Sequence, residues 1–207
     1  LTGDSQPTQP LGSLRFLAFC GLVMLVGIMF LAWLGSPPIH SAVGKKLPAL
    51  DLVPLVETEK PLQSEFLSDS LTILHLWGPW SEECRQSFPE LVEVMQKFAD
   101  RPDIRVISVV FPKDVLIVDE LRSQTLEFLE GQSIVLPNYI DTNGTTSVEL
   151  ALLMPYGSLG FPTTIVADRT GTIIEVIDGY QPDQMRTLPT LLSSRLGQQP
   201  SQVSKTD

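Results

Sequence analysis

Ser81 and Cys84 are the residues of this chain whose types and spacing could do chemistry, and Trp77, Gly78, Pro79 and Trp80 run directly into them. A cysteine thiolate attacks disulfide sulfur, and a thiol near a helix N-terminus is where that thiolate is stabilised. A serine hydroxyl is a far weaker acid and becomes a nucleophile only beside a base. No base is evident at this turn, so Ser81 reads most simply as a helix N-cap, with Glu82 and Glu83 in the first turn where the helix dipole favours carboxylates. Cys84 shares a helix face with Phe88, Leu91, Val92, Met95 and Phe98, which recur at intervals of three and four. It reads either as an inert core thiol, its pKa raised by burial, or as a reactive monothiol.

The elements that must position these residues follow from the surrounding pattern. Leu71–Trp77 is a nearly continuous apolar run of strand length, broken by Gly78 and Pro79. A helix is expected over Glu82–Phe98, kinked by Pro89, which lacks the amide hydrogen. Strands are expected over 50–56, 104–111, 133–140, Thr163–Ala167 and 172–177, and helices over 114–130, 148–154 and 183–196. The 104–111 run, IRVISVVF, has the β-branched content of a central buried strand. Gly131 ends the helix before it reaches 133, Asp141-Thr142-Asn143-Gly144 is a turn signal, and Asp168-Arg169-Thr170-Gly171 joins a hairpin. Met185, Leu188, Leu191 and Leu192 form the inward face of the last helix.

Trp77-Gly78-Pro79-Trp80-Ser81-Glu82-Glu83-Cys84-Arg85 resembles the Trp-x-x-Trp-Cys-x-x-Cys-Arg active site of thioredoxin-fold proteins. Phe88-Pro89-Glu90-Leu91 and the helix-plus-strand insertion ending in Tyr139-Ile140-Asp141 are similar to the TlpA/ResA-like, membrane-anchored thiol–disulfide oxidoreductase branch. The first cysteine of the pair is Ser81 here, a degenerate Ser-x-x-Cys site. The resemblance covers roughly 47–196 and implies an α/β fold, a thioredoxin-like central mixed β-sheet flanked by helices. It implies that Pro162, in Gly160-Phe161-Pro162-Thr163-Thr164, is cis and faces the Ser81–Cys84 turn, and that Trp80, Phe161 and Thr163 line a substrate groove. In many thioredoxins the strand position of His75 holds a buried acid beneath the second cysteine. Strand alternation then puts His75 with Ile73 and Trp77, pointing into the domain. It reads as a neutral core histidine satisfied by one hydrogen bond, or as the partner of Cys84 in a coupled pair.

Net charge is −10, from 24 acidic against 14 basic residues, which argues against nucleic acid as a partner. The two cysteines, Cys20 and Cys84, build neither a disulfide framework nor a cysteine metal site, and no cofactor is implied. From Phe16 to Leu34 no charge occurs, about 28 Å of helix against a hydrocarbon thickness of roughly 30 Å. No small-x-small cleavage site follows clearly, so an uncleaved single-pass anchor over 14–35 is expected, with Cys20 as apolar filler. Residues 1–13 read as disordered, 36–46 as a linker, 47–196 as the domain and 197–207 as a polar tail. Arg15 before the span and Lys45 and Lys46 after it slightly disfavour a cytoplasmic N-terminus. The family resemblance implies the opposite, with the C-terminal domain extracytoplasmic, and is preferred.

Two functions are therefore expected. One is a membrane-anchored member of an extracytoplasmic thiol–disulfide system whose dithiol turnover is impaired by Ser81. The other is a non-catalytic binding module. In both the partners are protein thiols or extended peptides.

Overall fold

The computed structural model describes residues 11–34, 40–55, 62–63, 69–98, 100–114, 117–132 and 137–197. The expectations for 1–10, 35–39, 56, 115–116, 133–136 and 198–207 lie outside the described residues. The chain divides into two units, Leu1–Ile39 and His40–Asp207. In the first, α1 (Leu11–Leu34) is a continuous helix whose described side chains, those of 16–30, are all exposed. Among the described residues no helix is long and apolar enough to cross a membrane.

In the second unit the apolar run 71–77 forms β3 (Leu71–Trp77), and all seven of its residues are buried. Such a strand must be covered on both faces and flanked on both edges. It pairs in parallel with β4 (Ile104–Val110) and antiparallel with β6 (Thr163–Ala167). Outside these lie β5 (Asn138–Ile140), parallel to β4, and β7 (Ile173–Asp178), antiparallel to β6. β1 (Asp51–Pro54) joins β5 antiparallel, and a short β2 (Leu62–Gln63), which the sequence pattern did not signal, pairs with β1. The order across the mixed seven-stranded sheet is β2-β1-β5-β4-β3-β6-β7.

Alternation along β3 sorts the core into two layers. Ile73 and Trp77 meet Phe88 and Leu91 of α2 (Glu82–Phe98), Leu121 and Leu129 of α3 (Val118–Glu130), and Met185 and Leu188 of α5 (Pro182–Gly197). Leu74 and Leu76 face the other way, with Leu150 of α4 (Thr145–Ala151), Met154, Ala42 and Leu50.

Some boundaries differ from expectation for local reasons. α3 begins at Val118 rather than 114, and its inward face is Leu121, Thr125 and Leu129, which leaves Leu126 exposed. α4 begins three residues earlier than expected, because Asp141 Oδ2 accepts the Ser147 amide at 2.6 Å and also its hydroxyl. Residues 40–46 are not a free spacer. Gly44 N donates to Ile173 O and Ile173 N to Lys45 O, both at 2.8 Å, and Ala42 is buried. These backbone bonds, in the stretch expected as a linker, extend the sheet edge beside β7.

Candidate functional site

The site is built at the C-terminal end of β3, where the chain turns into α2. Ser81 is the N-cap of that helix. Its carbonyl accepts Arg85 N at 3.1 Å and its Oγ accepts Cys84 N at 3.3 Å, which satisfies one of the orphan donors of the first turn. Gly78 is required just before it. A Cβ there would lie 2.3 Å from Trp80 Nε1 and 2.9 Å from Phe111 O. The space is taken because the Trp80 indole donates to Phe111 O at 2.9 Å.

Cys84 is 0% exposed, packed in the layer of Trp77, Phe88 and Leu91. Burial pushes its thiol up from the ordinary value, and Glu83 pushes the same way. Hydrogen bonding from Ser81 and from the Gly78 backbone, with the Arg85 charge, only partly opposes them. The Arg85 guanidinium is committed elsewhere, donating to Glu82 Oε2 at 2.6 Å and to Pro79 O at 2.8 Å. Those bonds hold the Glu82 carboxyl below its usual range and fasten the turn to the helix.

His75 does not join Cys84. Its Nδ1 lies 2.9 Å from Thr164 Oγ1 on the neighbouring strand, while Nε2 is buried without a hydrogen-bond partner. Burial drives its pKa down to about 3, so the ring is neutral. His75 is paired across the sheet with Ser108 on one side and Thr164 on the other. This polar row is extended by Trp77 Nε1, which donates to Ser108 Oγ at 2.6 Å, and by Ser108 Oγ, which donates to Asn138 Oδ1 at 2.8 Å.

Opposite the turn, the Phe161–Pro162 peptide bond is cis. Trp80, half-buried, meets Phe161 edge-on with centroids 6.1 Å apart, and Phe161 packs on Phe111 at 4.8 Å. Thr163 does not line this rim with its side chain. It is fully buried, and its hydroxyl is committed to Gly160 O at 2.9 Å and Asp178 Oδ1 at 3.2 Å. Two open grooves meet at Trp80 and Gln124. One, about 340 Å³, runs past Pro112, Ile117 and Leu121, and the other, about 410 Å³, past Pro79, Arg85 and Phe128. Among the described residues no group of acidic, histidine or cysteine side chains could hold a metal ion.

Sequence reasoning missed Phe111, which anchors the Trp80 indole through its carbonyl and Phe161 through its ring. Its only local signal was its place at the end of a β-branched run.

No family model matches the chain. It is 24% identical over 139 residues to the thiol-disulfide oxidoreductase ResA of Bacillus thuringiensis subsp. konkukian, covering 67% of this chain and 71% of that protein. It is 24% identical over 163 residues to the thiol:disulfide interchange protein DsbE of Pseudomonas aeruginosa, covering 77% of this chain and 81% of that one. A crystal structure from Chlorobium tepidum, described as a thiol:disulfide interchange protein DsbE, superposes with a TM-score of 0.59 at 24% identity, over 75% of this chain and 98% of that one. The fold is thioredoxin-like, and the proteins the chain is similar to are thiol–disulfide oxidoreductases and interchange proteins named ResA and DsbE. In this fold the Ser81–Cys84 turn, the cis Phe161–Pro162 bond and the Trp80–Phe161 contact occupy one end of the sheet, beside α2.

Proposed function

We propose that this protein is a membrane-anchored member of an extracytoplasmic thiol–disulfide system that has lost dithiol turnover. Its relatives named ResA and DsbE carry the thiol–disulfide part of that reading. The observation that carries the loss of turnover is Cys84 itself, wholly buried behind a Ser81 hydroxyl that caps the helix. In a dithiol enzyme one thiolate attacks a substrate disulfide and expels a thiolate. The second cysteine then attacks the mixed disulfide, so that substrate leaves reduced and the enzyme leaves oxidised. Here the attacking position holds an un-ionised hydroxyl, and the remaining thiol is desolvated and held protonated.

A second reading, a non-catalytic module that holds extended or cysteine-containing peptides, is favoured by the half-buried Trp80 with a groove on either side. Anchoring is supported by the uncharged run from Phe16 to Leu34 and by a helix whose described side chains are apolar and exposed on every side. An extracytoplasmic domain suits disulfide chemistry, which persists in oxidising compartments.

The deciding experiment is insulin reduction by the native protein beside Ser81→Cys. Negligible turnover is expected from the native chain and a measurable gain from the variant. Native turnover at dithiol-enzyme rates overturns the proposal. Activity of a cytoplasm-only reporter fused after Asp207 reverses the orientation.

A further inference from the structure

On the sheet face opposite α2 and α5, α4 and the turn after it carry an apolar stripe that none of the described residues covers. Val148, Leu152 and Tyr156 are 61%, 72% and 93% exposed. They are spaced four residues apart, and Leu152 N still donates to Val148 O, so the first two stand one helical turn apart on one side. Tyr156 sits in the fully exposed turn 155–158, with Gly157 at a φ of 66° letting the chain reverse there. In a chain of net charge −10, residues 150–167 contain no charged side chain, and Glu149 beside the stripe is half-buried.

The stripe also adjoins the place where the domain begins. Ser41 Oγ donates to Leu153 O at 3.2 Å, fastening the first residues of the domain to the residue after Leu152. Six residue steps link Leu34 to His40, a reach of at most ~20 Å at full extension. Any bilayer that holds α1 is therefore within that reach of the His40 end of the domain. Lys45, exposed, stands at the same end, where a cation is attracted to anionic headgroups.

We propose that the Val148–Leu152–Tyr156 stripe is a membrane-contact surface, seated in the interfacial layer of the bilayer that carries the anchor. This rests on the anchored reading given above. Leucine and valine supply apolar area, and a tyrosine ring with a free hydroxyl has the amphipathic character that suits the headgroup boundary. Seated in this way, the domain is held by one face instead of swinging on its tether. The face that carries α2 and α5 is then turned away from the lipid.

The test uses the full chain in Cys20→Ser background, reconstituted into phosphatidylcholine–phosphatidylglycerol vesicles, with a nitroxide label at Leu152→Cys or at Tyr156→Cys. Buried Cys84 stays unlabelled, and Gln184→Cys, exposed on α5, is the aqueous reference. Collisions with oxygen are expected to exceed those with a water-soluble nickel chelate at 152 and 156, and the reverse at 184. If 152 and 156 are as water-accessible as 184 while the chain survives an alkaline carbonate wash of the vesicles, the anchor stands and the contact surface is refuted. Release by the wash refutes the anchor and this proposal with it. Spin–spin broadening at 156 that vanishes on dilution with unlabelled chain shows a second copy on the stripe, and overturns the membrane assignment.

Discussion

Acidification should destabilise this fold through His75 well before the carboxylates begin to titrate. In the folded chain the ring is buried, and its pKa is pushed down from 6.5 to about 3. In the unfolded chain it returns to about 6.5. Between those values the unfolded state binds a proton that the folded state refuses, so stability rises with pH through this window and is complete above about 6.5. Each unit below that is worth about 1.4 kcal/mol, so moving from about pH 7.5 to about pH 5 removes roughly 2 kcal/mol by this group alone. For a domain of ordinary stability that is a large fraction of the total. The measurement is the urea midpoint of the native chain and of His75→Leu at both pH values, followed by tryptophan emission. Every other titrating group is common to the two proteins and drops out of the difference. His75→Leu should lose less stability than the native chain on acidification, by about 2 kcal/mol. Equal losses in the two proteins would refute the burial of His75 as a neutral ring bonded through Nδ1 to Thr164. A native chain that loses less than His75→Leu would mean an ionised imidazole stabilised by a partner.

Other outcomes follow from the turn at the end of β3. Gly78→Ala forces a methyl group into the Trp80 indole and the Phe111 carbonyl, and should destabilise the domain by about 1–3 kcal/mol while shifting Trp80 emission to the red. Ser81→Ala leaves the Cys84 amide without its cap and should lower stability by about 1 kcal/mol in urea unfolding. Cys84 should react with a disulfide reagent far more slowly in the folded chain than in denaturant, because it is buried and its thiol is held protonated. Fast reaction in the folded state would argue for the monothiol reading.

Much of the fold was legible because its signals are local. The apolar run of β3, the Ser81 cap with Glu82 and Glu83 behind it, and the three-and-four spacing of Cys84, Phe88 and Leu91 each depend on residues within one or two turns of chain. That this turn carries a serine at 81 and a single cysteine at 84 is likewise read directly from the sequence. What the pattern could not supply depended on partners far away in the chain. Leu126 keeps the apolar spacing of α3 yet faces solvent, because Leu121, Thr125 and Leu129 occupy the side that meets the core. Thr163 follows the cis-proline and looked available to a substrate, but Asp178, fifteen residues on, takes its hydroxyl inward. His75 was placed on the correct face by alternation, yet only the antiparallel register of β3 with β6 puts Thr164, not Cys84, at its Nδ1. Hydrophobic periodicity fixes which side of an element is apolar. Which polar atoms meet across the sheet is decided by strand register and packing, and those exist only once the chain has folded.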